Sequence, residues 1–253
     1  MDARHPYLDN TNPIAFAHRG GTSAAPENTL RAFDDAVTLG YKYVETDVHA
    51  TRDGVLVAFH DNDLQRTCGM PWRIAETDWS TLSTARIDGT DPIPLLTDLL
   101  STWPDLRINI DCKSDAAMQP LIDTIRKTNC LDRICVGSFS DKRLQHIRKE
   151  LGPDLCTSMG PQEVIRLVLG SSTGLPINPS RDALIAQVPV RQGPIPVVTK
   201  RSIARAHQLG LQVHVWTIDE PQEIARLLDM GVDGIMSDDT RALKGVFWAR
   251  HVW

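Results

Sequence analysis

Acidic and apolar residues alternate in two segments of the chain. Glu45 and Asp47 lie one residue apart in "YVETDVHA" (43–50), and Asp111 lies in "RINIDCK" (107–113). Alternate residues of a β-strand face opposite sides, so we expect the acids to share one face and the apolar residues to meet helices on the other. Buried anions need a cation to stay ionised, and an all-oxygen ligand set favours one Mg²⁺ or Ca²⁺ ion.

Ion pairing offers a second interpretation of the same acids. They could form structural salt bridges with Arg19 or Lys113 instead of binding a metal ion. We favour the metal site because both segments place their acids toward the carboxyl ends of predicted strands, where barrel enzymes carry their active sites.

Two histidines end predicted strands at the same edge. His18 follows the apolar run Ile14–Ala17, and His60 ends the run "VLVAFH". An imidazole titrates near neutral pH, so one ring can accept a proton while the other donates one. A lone histidine near a strand end is more often a hydrogen-bonded structural residue than a catalyst, but two histidines at the rim that holds the carboxylates favour catalysis. We expect supporting roles for His49 and His214 and surface positions for four others: His5, His146, His207 and His251.

Cationic side chains adjoin these groups. Arg19 follows His18 directly, and Lys113 follows Asp111 after one residue. A guanidinium fork and an ammonium group together suit the oxygens of a phosphate ester. Gly20 and Gly21 come next, and we expect them to keep the rim open to a substrate.

Strand-like and helix-like patterns alternate along the whole chain, which predicts a parallel sheet. The predicted strands are Ile14–Ala17, Tyr43–His49, Leu106–Cys112, Ile134–Val136, Leu155–Thr157, Leu184–Val188, Gln212–Trp216 and Gly234–Ser237. The predicted helices are Leu30–Leu39 (with Asn28 as its cap), Ala117–Thr128, Lys142–Glu150, Gln162–Leu169, Ser202–Gln208 and Gln222–Met230. Eight such units predict an α/β fold of the (β/α)8 TIM-barrel type, with an open doubly wound sheet as the alternative.

One region interrupts this alternation. Asp53-Gly54 is a turn signal that predicts a hairpin after the second strand. Residues 61–95, which include Trp72 and Trp79, then read as a small insertion. We expect one barrel domain over residues 1–253.

Composition excludes several classes of protein. The net charge of −5 and the scattered Lys and Arg residues argue against nucleic-acid binding. The five cysteines form no C-x-x-C pair, which is typical of reduced thiols in a cytoplasmic protein. The sequence shows neither a signal peptide nor an apolar run long enough for a membrane anchor, so we expect a soluble protein with a small-molecule partner.

Four motifs resemble those of the glycerophosphodiester phosphodiesterase family. They are "AHRGG…PENT…AF…A…G" (17–40), "VETDVHATRDGVLVAFHDNDLQRT" (44–67), "NIDCK" (109–113) and "VHVWTID…LLDMGVDGIMSD" (213–238). The resemblance implies a distorted (β/α)8 barrel with an insertion after its second strand. It also implies these roles: metal ligands Glu45, Asp47 and Asp111; catalytic histidines His18 and His60; phosphate-binding Arg19 and Lys113; a glycerol-side Trp216; Glu27 steadying the rim; and Gln187 at the edge of the site.

The chain departs from this family pattern at two positions. Asp111 stands where a glutamate is usual, and Ser237-Asp238 replaces a Thr-Asp pair. The resemblance implies metal-dependent hydrolysis of a glycerophosphodiester to sn-glycerol 3-phosphate and an alcohol. Two alternatives are a related barrel phosphodiesterase acting on lysophospholipid or sphingolipid, and a non-catalytic binding protein on the same scaffold. The lipid reading requires an exposed apolar rim, for which the Trp72–Trp79 segment is the candidate.

Overall fold

Eight parallel strands form the centre of the fold in the computed structural model, which describes residues 5–174 and 182–253. The strands are β1 (Ile14–Ala17), β2 (Tyr43–Ala50), β3 (Arg107–Cys112), β4 (Ile134–Gly137), β5 (Cys156–Thr157), β6 (Ile185–Pro189), β7 (Gln212–Trp216) and β8 (Gly234–Ser237). They pair in the order β5-β4-β3-β2-β1-β8-β7-β6. A parallel bridge between Ser158 and Ile185 brings the two ends of this order together. The sheet is therefore a nearly closed barrel, as predicted, and not an open sheet.

A helix follows each strand and covers the outside of the barrel. The helices are α1 (Leu30–Thr38), α2 (Leu96–Thr102), α3 (Met118–Thr128), α4 (Asp141–Leu151), α5 (Pro161–Thr173), α6 (Lys200–Gln208), α7 (Pro221–Met230) and α8 (Thr240–Ala249). Helices α2 and α8 were not predicted from the sequence, and α5 continues through Gly170 instead of ending before it. Within the described residues, the helices are all too short or too polar to cross a membrane.

The two faces of the strands have the polarity that alternation predicts. Val44, Val48, Ile108 and Ile110 are buried in the apolar layer between strands and helices. A second apolar cluster lies apart from this layer and draws on β1, β2, β4, β5, β6 and β8. The N-terminal segment contributes to it through Tyr7 and Leu8, and His5 in the same segment is buried.

The prediction of an exposed His5 is therefore wrong. His5 Nε2 lies 2.9 Å from the Asp154 carbonyl oxygen, and its Nδ1 accepts a hydrogen bond from the Tyr7 amide. All five cysteines are free, which agrees with the prediction of reduced thiols.

The insertion after β2 has an apolar core of its own. The strand Leu56–Ala58 pairs antiparallel with β2, which confirms the predicted hairpin. The following residues form two short helices (Gln65–Cys68 and Trp79–Leu82) and a two-stranded sheet (Arg86–Ile87 with Asp91–Pro92). Trp72 and Trp79 are half-buried against the core of this insertion. They do not form the exposed apolar rim that the lipid interpretation requires.

His214 on β7 is buried in the barrel without a charge partner. Its ring packs 5.0 Å from the Phe16 ring, its Nε2 lies 2.9 Å from Gln212 Oε1, and its Nδ1 has no partner among the described residues. Gly234 makes room for it, since a Cβ there would lie 2.8 Å from the imidazole. Burial lowers the pKa of His214 to about 3, so the ring stays neutral in the folded protein.

This neutral histidine predicts a loss of stability on acidification. Below pH ~6.5 the unfolded chain binds a proton at this position, whereas the folded protein does not until the pH approaches 3. We expect this one group to lower the free energy of unfolding by about 2 kcal/mol between pH 7 and pH 5. Denaturant unfolding at several pH values measures the slope. His214→Gln should show a shallower slope than the wild type, and equal slopes would contradict the assignment.

Candidate active site

The three candidate metal-binding acids lie on neighbouring strands of the barrel, Glu45 and Asp47 within β2 and Asp111 near the carboxyl end of β3. Asp47 and Asp111 are register partners on these neighbouring strands, and Glu45 lies two residues earlier on β2. All three are buried. Lys113 Nζ lies 2.9 Å from Asp47 Oδ1 and 2.9 Å from Asp111 Oδ2. The ion pairing considered as an alternative in the sequence is therefore present for these two carboxylates.

Burial opposes the ionisation of these carboxylates, and the neighbouring cations compensate unequally. Burial, together with the charge of Asp47, raises the pKa of Glu45 to about 8. Burial also acts to raise the pKa of Asp47, but Lys113 and Arg19 outweigh it and hold that pKa below its usual value. Burial raises the pKa of Asp111 despite the adjacent Lys113. The cluster therefore has more carboxylates than its cations fully balance.

Arg19 connects the end of β1 to these carboxylates. Its backbone adopts a left-handed conformation, with φ of 53°. In this conformation its amide donates a 3.1 Å hydrogen bond to Glu45 Oε2. Its guanidinium Nη1 donates to Glu27 Oε1 at 3.1 Å, and its Nε lies 3.1 Å from Asp47 Oδ2. Backbone and side chain together hold Arg19 over the acidic cluster.

Gly20 and Gly21 serve this turn rather than an opening for substrate. Their φ angles are +82° and +85°. A Cβ on Gly20 would lie 2.9 Å from the Phe33 amide nitrogen, and one on Gly21 would lie 2.4 Å from Thr240 Cγ2. The space beside both glycines is thus filled by the protein, and the prediction that they keep the rim open is wrong.

Asn28 was predicted from the sequence to cap α1, and this prediction is wrong. The residue instead orients a carboxylate. Thr29 is the cap, since its Oγ1 accepts from the Ala32 amide at 3.1 Å. Asn28 is buried, with φ of 53°, and its Nδ2 donates to Asp47 Oδ2 at 3.2 Å. Its Oδ1 accepts from Thr46 Oγ1, which fixes the orientation of the amide.

Both candidate catalytic histidines are held through Nδ1 by a carboxylate. His18 Nδ1 lies 2.7 Å from Asp238 Oδ1, and His60 Nδ1 lies 2.6 Å from Asp61 Oδ1. His18 Nε2 is 3.6 Å from Glu45 Oε2. A ring held in this way keeps Nε2 for proton exchange. Burial lowers the pKa of His18, but Glu45 and Asp238 outweigh it, so this pKa is raised.

A cleft of about 410 Å³ lies beside the acidic cluster. His49, His60, Asp61, Asn62, Asp63 and Lys113 line it. His49 Nε2 lies 3.0 Å from the His60 carbonyl oxygen, as expected of a supporting residue. The cleft therefore gives access to a candidate proton carrier and a cation on one wall of the site.

Trp216 and Gln187 lie on the other strands of the barrel. The Trp216 ring meets Phe139 edge to face at a centroid distance of 5.7 Å, and Phe139 is 65% exposed. Lys113 Nζ lies 5.6 Å from the centre of the same Phe139 ring. This places the aromatic pair beside the acidic cluster. Gln187 donates to Asn109 Oδ1 at 2.8 Å, one pleat below Asp111.

Four residues that hold or border these groups were not predicted from the sequence to belong to the site. Asp61 directly follows His60, and Asp238 directly follows the last predicted strand, so their positions were available signals. Asn28 and Phe139 lie in loops, and their contacts depend on the folded arrangement of the chain.

The donor set of the acidic cluster suits a hard divalent cation. All three side chains offer carboxylate oxygens, and Asp111 Oδ1 is buried without a hydrogen-bond partner among the described residues. Burial disfavours the ionised forms of Glu45 and Asp111, and a bound cation would favour them. Within residues 5–174 and 182–253, however, no three such side chains form a group that could hold a metal ion as they stand, and Lys113 lies between two of the acids.

Comparison with known proteins identifies one family. The model of the glycerophosphoryl diester phosphodiesterase family matches residues 18–242. A Mycobacterium tuberculosis protein named probable glycerophosphodiester phosphodiesterase 2 is 38% identical over 251 residues, which cover 98% of this chain and 95% of that protein. A lysophospholipase D of Rattus norvegicus is 27% identical over 90% of this chain and 84% of its own length.

A solved structure supports the same fold. A phosphodiesterase from Oleispira antarctica, solved in complex with the product sn-glycerol-3-phosphate, superposes with a TM-score of 0.75. The two proteins are 22% identical, and the match covers 93% of this chain and 97% of the other.

Proposed function

The chain belongs to the glycerophosphoryl diester phosphodiesterase family, and from this premise we propose metal-dependent hydrolysis of a glycerophosphodiester to sn-glycerol 3-phosphate and an alcohol. Membership makes it a glycerophosphodiester phosphodiesterase. One observation carries the finer proposal. Two histidines held by carboxylates and two cations lie around three buried acids at one end of the barrel.

Glu45, Asp47 and Asp111 would hold one divalent cation, Mg²⁺ or Ca²⁺. When bound, this cation supplies Lewis-acid polarisation of a non-bridging phosphate oxygen. The excess of buried carboxylates over cations and the orphaned Asp111 Oδ1 support the assignment.

His18 and His60 exchange the protons of the reaction. Hydrolysis forms one bond from an attacking oxygen to phosphorus and breaks the bond from phosphorus to the leaving alcohol oxygen. One ring accepts the proton of the attacking hydroxyl, which belongs either to water or to the glycerol 2-position. In the second route the 2-oxygen forms a cyclic phosphate as the alcohol departs, and water then attacks phosphorus and breaks its bond to the 2-oxygen. The other ring donates a proton to the departing oxygen. Asp238 and Asp61 fix Nδ1 of the two rings, and this leaves Nε2 for both transfers.

Arg19 and Lys113 bind the phosphate group and share its charge in the transition state. Arg19 engages Glu27 and Asp47 through Nη1 and Nε, while its Nη2 has no partner in the part of the chain that the structure describes. Lys113 borders the cleft. Both cations are held by carboxylates before a substrate arrives, which limits the reorganisation that binding requires.

A lipid substrate is the second candidate. The exposed Phe139 ring beside Trp216 gives the site an apolar border that could contact an acyl chain of a lysophospholipid or sphingolipid. The lysophospholipase D relative also favours this reading.

We place the protein in the cytoplasm, because all five cysteines are free thiols.

A substrate panel tests the proposal. We expect the purified protein with Mg²⁺, Ca²⁺ or Mn²⁺ to release sn-glycerol 3-phosphate from water-soluble glycerophosphocholine and glycerophosphoethanolamine. Turnover should be much slower on micellar lysophosphatidylcholine. Turnover of the micellar lipid alone would favour the lipid alternative, and no turnover of any diester would overturn the proposal.

A further inference from the structure

Arg66 lies in the insertion and bridges two carboxylates at the rim of the site. It belongs to the short helix Gln65–Cys68. Its Nε and Nη2 donate to Asp61 at 2.7 Å and 3.2 Å. Its Nη1 and Nη2 donate to Glu27 at 3.1 Å and 2.5 Å. A single guanidinium group thus makes four hydrogen bonds to residues on different segments.

Each of these carboxylates also holds a residue of the proposed machinery. Asp61 Oδ1, which accepts from Arg66, lies 2.6 Å from His60 Nδ1. Glu27 Oε1, which accepts from Arg66, also accepts from Arg19 Nη1. A single carboxylate therefore links Arg66 to the proton carrier His60, and another links it to the phosphate-binding Arg19.

The charges of the bridge depend on Arg66. Burial acts to raise the pKa of Asp61, but the hydrogen bonds from Arg66 and His60 outweigh it and lower this pKa to about 2. Glu27 also has a lowered pKa, because Arg66 and Arg19 overcome the effect of its burial. Both carboxylates are therefore anions at neutral pH, and without Arg66 they would repel each other. Either one could then rotate away from the residue that it holds.

We propose that Arg66 is a positioning residue that fixes His60 through Asp61 and Arg19 through Glu27. The proposal rests on the function proposed above, because it concerns how that reaction is organised. The insertion thereby takes part in catalysis, because its short helix supplies the cation that holds the proton carrier and the phosphate-binding arginine in position.

A plain surface ion pair would behave differently. The Arg66 side chain is 50% exposed, and exposed ion pairs contribute little to stability. Removal of Arg66 should therefore leave the fold nearly as stable as before. We expect a much larger effect on activity, because a shift of about 1 Å in a catalytic group can lower the rate ~10²-fold.

Arg31 provides a matched control. Its guanidinium forms a fork on Asp91, with Nε to Oδ1 at 3.1 Å and Nη2 to Oδ2 at 2.6 Å. This pair also ties the insertion to the barrel, through α1, and Arg31 is similarly exposed at 56%. Among the described residues, neither Arg31 nor Asp91 makes a hydrogen bond or ion pair with a member of the proposed machinery. Arg31→Gln therefore reports the cost of loosening the insertion alone.

The experiment compares kcat and KM for glycerophosphocholine in wild type, Arg66→Gln and Arg31→Gln, with the melting temperature of each. We expect Arg66→Gln to lose about 10- to 100-fold in kcat/KM, and Arg31→Gln to stay within about twofold of wild type. Arg66→Lys keeps a charge but cannot make four bonds to two carboxylates, so we expect it to restore only part of the loss. Arg66→Lys is also the smaller change, so its kinetics still test the proposal if Arg66→Gln does not fold.

Double variants separate the two arms of the bridge. If Arg66 acts through Asp61, adding Arg66→Gln to Asp61→Asn should lower kcat little further. If it acts through Glu27, adding Arg66→Gln to Glu27→Gln should raise KM little further. Fully additive losses in both pairs, or wild-type kinetics in Arg66→Gln and Arg66→Lys, would overturn the positioning role while leaving the proposed function intact. A wild-type enzyme that turns over no diester would overturn both.

Discussion

Replacing His18 or His60 with alanine is expected to lower kcat for glycerophosphocholine at least ~10²-fold. Each substitution removes a ring whose Nδ1 is held by a carboxylate and whose Nε2 remains for proton transfer. Without one ring the attacking hydroxyl keeps its proton, and without the other the alcohol must depart as an alkoxide. Steady-state kinetics at saturating metal and substrate measures the effect.

His207 provides the control for this prediction. Its Nε2 lies 2.8 Å from Asp233 Oδ2, so it forms the same kind of histidine–aspartate pair on the outside of the barrel. His207→Ala should keep kcat within about twofold of the wild-type value, because His207 lies on the surface and away from the active site. The wild-type pH profile should be bell-shaped, since one ring must be neutral and the other protonated. Near-normal turnover in both His18→Ala and His60→Ala would discard the acid–base mechanism.

Removal of divalent cations is expected to lower activity by about 10²-fold or more. Glu45, Asp47 and Asp111 would then have only Arg19 and Lys113 to balance their charges. Treatment with a chelator, followed by addition of Mg²⁺, Ca²⁺ or Mn²⁺ in turn, measures both the dependence and the preferred ion. Asp47→Asn and Asp111→Asn should weaken metal binding, as followed directly by calorimetry.

A surface acid serves as the control for the metal site. Asp123 on α3 is exposed, and its carboxylate accepts a hydrogen bond from Gln119 one turn away. Asp123→Asn should bind metal and turn over substrate as the wild type does. Full activity in chelator, or metal affinity that does not change in Asp47→Asn and Asp111→Asn, would show that these acids serve only as ion-pair partners for Arg19 and Lys113.

Much of the fold could be predicted because it follows from local periodicity. The alternation in β2 and β3 specified which side chains face the helices and which face inward. The barrel strands begin and end within a residue or two of their predicted bounds. The convergence of Glu45, Asp47 and Asp111 follows from the same alternation, combined with parallel pairing of neighbouring strands.

The remaining features of the site depend on contacts between distant segments. Asn28 has the residue type of a helix cap, but a left-handed backbone turns it toward Asp47 and leaves the cap to Thr29. The space beside Gly21 is taken by Thr240, which is more than two hundred residues away. The bridge through Arg66 joins the loop after β1 to the insertion. The residue spacing within either segment does not predict this contact.

The identity of the products tests the central claim most directly. Glycerophosphocholine is incubated with the enzyme and a divalent cation in ¹⁸O-labelled water, and the phosphorus-containing products are followed by ³¹P NMR. We predict sn-glycerol 3-phosphate with one ¹⁸O on phosphorus, together with unlabelled choline. Formation of phosphocholine and glycerol, or of sn-glycerol 3-phosphate without the label on phosphorus, would contradict the reaction that we assign to this site.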